Sequence, residues 1–179
     1  MQRTAAEGVI AASLAEDGSA CVLLELNCET DFVAKTTDLH EIASGIGNVM
    51  HSLIDKSTCP IKMPPFEDVE KAEISANGTT DTVSSHLVTA TTRLGESVRV
   101  SRLTYLPRPE NGLLSHYVHN SYPGQVNKVG KNAATIALSI QDGEITESNE
   151  ERLNETARML AKQVVAMSPL YATESDVPS

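Results

Sequence analysis

Cys21-Val22-Leu23-Leu24-Glu25-Leu26-Asn27-Cys28-Glu29-Thr30-Asp31-Phe32-Val33-Ala34-Lys35 changes character halfway along. In its first part Val22, Leu24, Leu26 and Cys28 alternate onto one face, while Glu25 and Asn27 point to the other, which is the period of a strand. The alternation stops at Cys28-Glu29-Thr30-Asp31. Thr or Asp ahead of an apolar-periodic run starts a helix, because its side-chain oxygen accepts an otherwise unpaired N–H of the first turn. Phe32 and Val33 then lie in that first turn. By pattern alone such a pair reads more readily as the first core residues of an amphipathic helix. The other reading is a corner that presents Phe32, one of only two phenylalanines in the chain, to a partner.

Working outward, two apolar-rich runs at 9–14 and 21–26 flank Asp17-Gly18, a strong two-residue hairpin signal. On the other side, Asp38 with Glu41 three residues on predicts a capped helix start. Leu39, Ile42, Ile46, Val49, Met50 and Leu53 continue it at helical spacing. Gly45 and Gly47 weaken that helix by up to about 1 kcal/mol each relative to Ala, unless a close helix–sheet contact requires them. Residues 55–82 carry Pro60, Pro64, Pro65 and Asn77-Gly78, and read as a long connection with one helical turn near 67–72. A second helix is predicted over 82–94, with Val83, Leu87, Val88, Thr91 and Leu94 on one face and Gly95 as its stop.

Residues 97–106 and 113–120 are β-rich and surround a turn containing Pro107, Pro109 and Asn111-Gly112, which predicts a second hairpin. Residues 133–140 alternate as a further strand. Ser148 with Glu151 opens a last helix that keeps Leu153, Leu160, Val164 and Met167 on one face and ends at Pro169. The expectation is an α+β fold: a mostly antiparallel sheet of two β-hairpins and an extra strand, packed against three amphipathic helices. One domain spans 1–171, and 172–179 is a polar tail.

Hydrophobic residues make up 40% of the chain, enough for a core, although 3% aromatics and no Trp mean that Leu, Val, Ile and Ala build it. Fourteen basic against twenty-four acidic residues give a net charge of −10, a surface that repels phosphate backbones. A protein partner is therefore expected, with no direct nucleic-acid binding. Three cysteines without a Cys-x-x-Cys spacing argue against a disulfide framework or a zinc site and for a reducing compartment. No apolar run reaches the roughly 20 residues that cross a bilayer, so no membrane is expected. Arg3 followed by Glu7 fits neither a signal peptide nor a transit peptide.

Several constellations fail as active sites. His116 and His119, three apart on a strand, face opposite sides and cannot share one metal ion. Cys28 has no local group to activate its thiol. Residues 124–130 contain glycine but lack phosphate-loop spacing. The reading is a binding or regulatory protein with no chemical catalysis, no cofactor and no metal.

Asn27-Cys28-Glu29-Thr30-Asp31-Phe32-Val33-Ala34-Lys35 resembles the signature of the elongation factor Ts family, the guanine-nucleotide exchange factors of elongation factor Tu. Ala5-Ala6-Glu7-Gly8-Val9-Ile10 resembles the family's entry into its core domain. Arg93-Leu94-Gly95-Glu96-Ser97-Val98-Arg99-Val100 is similar to its Gly-Glu-Asn segment, with Ser97 for Asn. Ser115-His116-Tyr117-Val118-His119 resembles its Ser-Tyr-x-His strand, with an extra His interposed. Residues 163–170 are most similar to the organellar branch, which favours the mitochondrial matrix over the cytoplasm of a bacterium or a chloroplast.

The resemblance implies a core-type domain lacking the family's N-terminal three-helix domain and second core subdomain. It implies exchange on elongation factor Tu, in GDP-bound and nucleotide-free forms, by an Asp-Phe tip that displaces Mg²⁺. The partner-binding residues it implies are Thr30, Asp31, Phe32 and Val33, with His119 as a further contact. The alternative is a structural or adaptor protein that keeps the scaffold without exchange activity.

Overall fold

A computed structural model describes residues 7–54, 63–171 and 174–178. The chain runs β1 (Glu7–Leu14), β2 (Ala20–Cys28), α1 (Asp31–Ala34), α2 (Thr37–Leu53), α3 (Phe66–Lys71), β3 (Glu73–Ala76), β4 (Thr79–Thr82), α4 (Val83–Leu94), β5 (Arg99–Pro107), β6 (Gly112–His119), β7 (Val129–Gly130), β8 (Asn132–Ser139) and α5 (Glu147–Met167). A 3-10 turn, Glu174–Asp176, lies in the tail.

The opening hairpin forms as its alternation requires, with β1 and β2 in register from Glu7↔Cys28 to Leu14↔Cys21. Its loop is longer than the Asp17-Gly18 pair. The Ala15 N–H donates to the Ala20 carbonyl and the Gly18 N–H to the Ala15 carbonyl, and Gly18 takes φ of 64°. Val22, Leu24, Leu26 and Cys28 are buried as expected, and Leu39, Ile42, Ile46 and Met50 of α2 pack among the same core residues. The two glycines of α2 have their explanation here. A Cβ on Gly47 would stand 3.3 Å from the Ser13 side chain, and one on Gly45 3.3 Å from Ile74. Each lets the helix lie close to a strand, and this contact offsets the propensity cost.

The α+β class with antiparallel sheets holds, but the expected second hairpin does not form. Strand β5 pairs with β2, from Ala20↔Pro107 to Asn27↔Arg99, giving a four-stranded sheet β5-β2-β1-β7. Strand β6 pairs with β8 instead, from Gly112↔Ser139 to His119↔Asn132. The 108–111 segment therefore crosses between two sheets. Alternation tells which face of a strand is buried, but not which neighbour it hydrogen-bonds.

Residues 73–82, read as connection, form a hairpin, with Asn77 (φ 55°) and Gly78 (φ 75°) as its two-residue turn. The neighbouring prolines masked that signal; Pro60 lies outside the described residues.

Helix starts move by one or two residues. Thr36 caps α2, accepting from the Leu39 N–H at 3.4 Å, and Thr146 is the N-cap of α5, its N–H donating to Asn149 Oδ1 at 2.8 Å. Among the described residues there are five helices: the three expected amphipathic ones, and the short α1 and α3 where a helix start at Asp31 and a single turn near 67–72 were read. On α4, Val88 is exposed and His86 is buried in its place, its Nε2 3.2 Å from the Ile74 carbonyl. On α5, Ala157 and Ala161 are buried while Leu160, Val164 and Met167 stand exposed. The β6–β8 ribbon meets α5 through its small residues, which permit close approach.

Candidate functional site

Strand β2 ends at Cys28 and α1 begins at Asp31, so Glu29-Thr30 is the corner. Thr30 is extended (φ −125°, ψ 156°) and accepts the Val33 N–H at 3.4 Å, the helix-cap role read from the sequence. A four-residue helix cannot hold itself in water, because nucleation is unfavourable. The surroundings hold it.

From one side comes Glu96, half-buried just past the left-handed Gly95 that ends α4. Its Oε2 accepts the Glu29 N–H at 3.1 Å and the Thr30 N–H at 2.9 Å, and its Oε1 accepts the Thr30 hydroxyl at 2.6 Å. Glu29 returns the contact, accepting the Ser97 N–H at 3.2 Å. From below, His40 Nε2 lies 2.8 Å from the Ala34 carbonyl, and its ring stacks on Tyr122 at 4.0 Å. Burial holds the His40 imidazole below its ordinary pKa, against the smaller opposing effect of its bond to the Ala34 carbonyl. The Cys28 thiol donates to the Thr30 carbonyl at 3.2 Å. Burial, and then the Glu96 charge, push its pKa up to about 11, which leaves no thiolate for chemistry at neutral pH.

On this base the motif residues divide. Val33 is 6% exposed and Ala34 fully buried, whereas Phe32 is 79% exposed. The strand-to-helix corner thus separates the two apolar residues that pattern alone had placed together in the core. Asp31 accepts the Lys35 ammonium at 2.6 Å, and this bond draws its carboxyl below the usual range. Phe32 is flanked by that surface ion pair, on a corner fixed from three directions.

His119, exposed at the end of β6, lies toward the same end of the molecule. The Lys131 N–H donates to its carbonyl at 3.1 Å, and the Lys131 ammonium reaches Glu7 at 3.0 Å. Glu7 is the register partner of Cys28, so Lys131 bridges from His119 to the strand end that precedes the corner. The His119 Nδ1 is 3.2 Å from the Tyr117 hydroxyl. His116 sits on the opposite face with Leu114 and Val118, its Nε2 2.9 Å from the Asn127 carbonyl, and burial lowers its pKa. The two imidazoles are thus on different faces, and among the described residues no cluster of metal-ligating side chains is found.

Glu96 and Lys131 were missed as parts of this site. Glu96 was visible only as one residue of the Gly-Glu segment, and nothing in the sequence ties it to a corner 66 positions away.

A family model described as elongation factor Ts matches residues 29–179. Elongation factor Ts of Wolbachia sp. subsp. Brugia malayi (strain TRS) is 34% identical over 169 residues, 94% of this chain and 50% of that protein. The elongation factor Ts of Allorhizobium ampelinum is 32% identical over 175 residues (98% and 49%), and that of Thermobifida fusca 31% over 179 residues (99% and 54%). The chain spans about half the length of the curated relatives it matches. These relatives are bacterial.

Proposed function

Because the chain belongs to the elongation factor Ts family, we propose that it promotes GDP release from elongation factor Tu during translation elongation. The observation that carries this reading is Phe32, 79% exposed on a corner whose every other apolar residue is buried. In this reading Asp31 and Phe32 enter between helices of the partner beside its nucleotide and displace the group that holds Mg²⁺. With the ion lost, the diphosphate charge is poorly compensated and GDP leaves. Val33 and Thr30 serve by anchoring and capping the tip; Phe32 meets the partner.

No bond is made or broken in the chain itself, so the process is allosteric coupling between two ligands of elongation factor Tu. The coupling is reciprocal: GDP weakens the factor as much as the factor weakens GDP. The chain accordingly binds both GDP-bound and nucleotide-free partner, the second more tightly. Burying one Phe contributes roughly 1.5–3 kcal/mol, while a 10⁴-fold shift of a two-state balance needs about 5.5 kcal/mol. The remainder comes from a wider surface that includes His119. The net charge of −10 supports a protein partner over nucleic acid. We place the activity where bacterial-type translation runs, in the mitochondrial matrix on the likeness of residues 163–170.

The test is release of labelled GDP from elongation factor Tu with and without the chain. Acceleration that saturates with chain concentration is expected. Binding without acceleration would overturn the exchange reading and leave a scaffold or adaptor.

A further inference from the structure

Phe32 stands on a helix of four residues, Asp31–Ala34, which owes its place to contacts from elsewhere in the chain. The densest of these is with one side chain. Both carboxylate oxygens of Glu96 are used: Oε2 takes two consecutive backbone N–H groups, of Glu29 and Thr30, and Oε1 takes the Thr30 hydroxyl. An ionised acceptor roughly doubles the strength of such bonds. The same Thr30 oxygen accepts the Val33 N–H, so the chain of bonds runs from Glu96 into the first turn that carries Phe32. The geometry is reciprocal, because Glu29 Oε1 accepts the N–H of Ser97, the residue after Glu96. Glu96 is itself aimed by Gly95, whose φ of 72° turns the chain out of α4.

We propose that Glu96 is a positioning residue for the exchange step: it holds the 28–32 corner in the conformation that presents Phe32, without touching the partner. This rests on the exchange reading above. A tip presented only part of the time lowers apparent affinity by the fraction of time it is competent, and leaves the step after docking unchanged. Removing Glu96 therefore acts on the concentration needed, whereas removing Phe32 acts on the rate reached.

The experiment measures GDP release from elongation factor Tu against chain concentration for wild type, Glu96→Ala and Glu96→Gln, with amide exchange at residues 29, 30 and 33 in the free chain. Glu96→Ala should raise the half-saturating concentration about tenfold or more, corresponding to a competent fraction of about a tenth or less. Its maximal rate should match wild type, and its Glu29 and Thr30 amides should exchange faster.

Glu96→Gln should lie between wild type and Glu96→Ala, because it keeps the bonds but loses the ionised acceptor. A glutamine oxygen can accept both N–H groups while its amide donates to the Thr30 hydroxyl oxygen. Unchanged half-saturation in Glu96→Ala, or a fall in its maximal rate, overturns the proposal. So does a glutamine variant as impaired as alanine, since glutamine keeps the bonding geometry on which the clamp depends. If Glu96→Ala does not fold, the glutamine variant and its amide exchange decide alone. If wild type does not accelerate release, the exchange reading fails, and unprotected 29 and 30 amides in Glu96→Ala still separate that failure from failure of the clamp.

Discussion

Phe32 and Val33 are adjacent and similarly apolar, yet one is 79% exposed and the other 6%. An exposed aromatic that contributes little to the core can be removed cheaply. Phe32→Ala is expected to shift stability by no more than about 0.5 kcal/mol while abolishing accelerated GDP release. A loss of roughly 3–5 kcal/mol in urea unfolding, the range for core Phe truncation, would instead make Phe32 a core residue. The histidines of β6 divide the same way. His119→Ala should lower accelerated release several-fold with stability intact. His116→Ala should cost about 1–3 kcal/mol, because it strips a part-buried partner from Asn127, and should affect release less. Equal effects of both on release would remove the face argument.

The short elements work through their ends. Helix α4 closes on Gly95 in the left-handed region, its N–H donating to the Thr91 carbonyl at 3.0 Å, and nothing lies within 4 Å of where a Cβ would sit. Space is therefore not the constraint; backbone conformation is. Gly95→Ala should cost about 1–2 kcal/mol from the left-handed strain alone, read as a lower urea midpoint with an unchanged slope. Since Gly95 also aims Glu96, the same variant should raise the half-saturating concentration for GDP release. A stability loss with release unaffected would separate the helix end from the corner.

For the whole molecule, two histidines stand at junctions between layers: His40 between α1, α2 and Tyr122, and His116 between β6 and the 121–128 loop. Both have pKa values lowered from 6.5, with burial as the largest cause. The unfolded chain takes up protons below pH 6.5 that the folded chain refuses, so stability falls as pH drops from there toward the folded values. Each contributes a slope of up to about 1.4 kcal/mol per pH unit. The urea midpoint should therefore decline between pH 6.5 and 5, before the lowered carboxylates Glu25, Asp31 and Asp81 begin to act near their ordinary values of 4.5 and 3.8. The double variant His40→Gln, His116→Gln should flatten that window. An equal slope in the double variant would assign it to other groups.

Much of this chain was legible locally, because the deciding interactions are themselves local. Alternation in 22–28 marked the buried face of β2, the Thr30 oxygen marked the start of α1, and Gly95 marked the end of α4. The 29–35 motif likewise located the corner. Tertiary structure decided whatever depends on neighbours remote in sequence. Strand β5 chose β2 and β6 chose β8, since a strand's free edge accepts any partner that the rest of the core brings within hydrogen-bonding distance. Helix α5 buried Ala157 and Ala161 over its larger apolar residues, because close approach to a ribbon selects for small side chains. Phe32 became a tip, where pattern alone made it core, through packing of its neighbours: Val33 and Ala34 are held inside by the core, His40 fastens the end of α1, and Glu96 fixes its beginning.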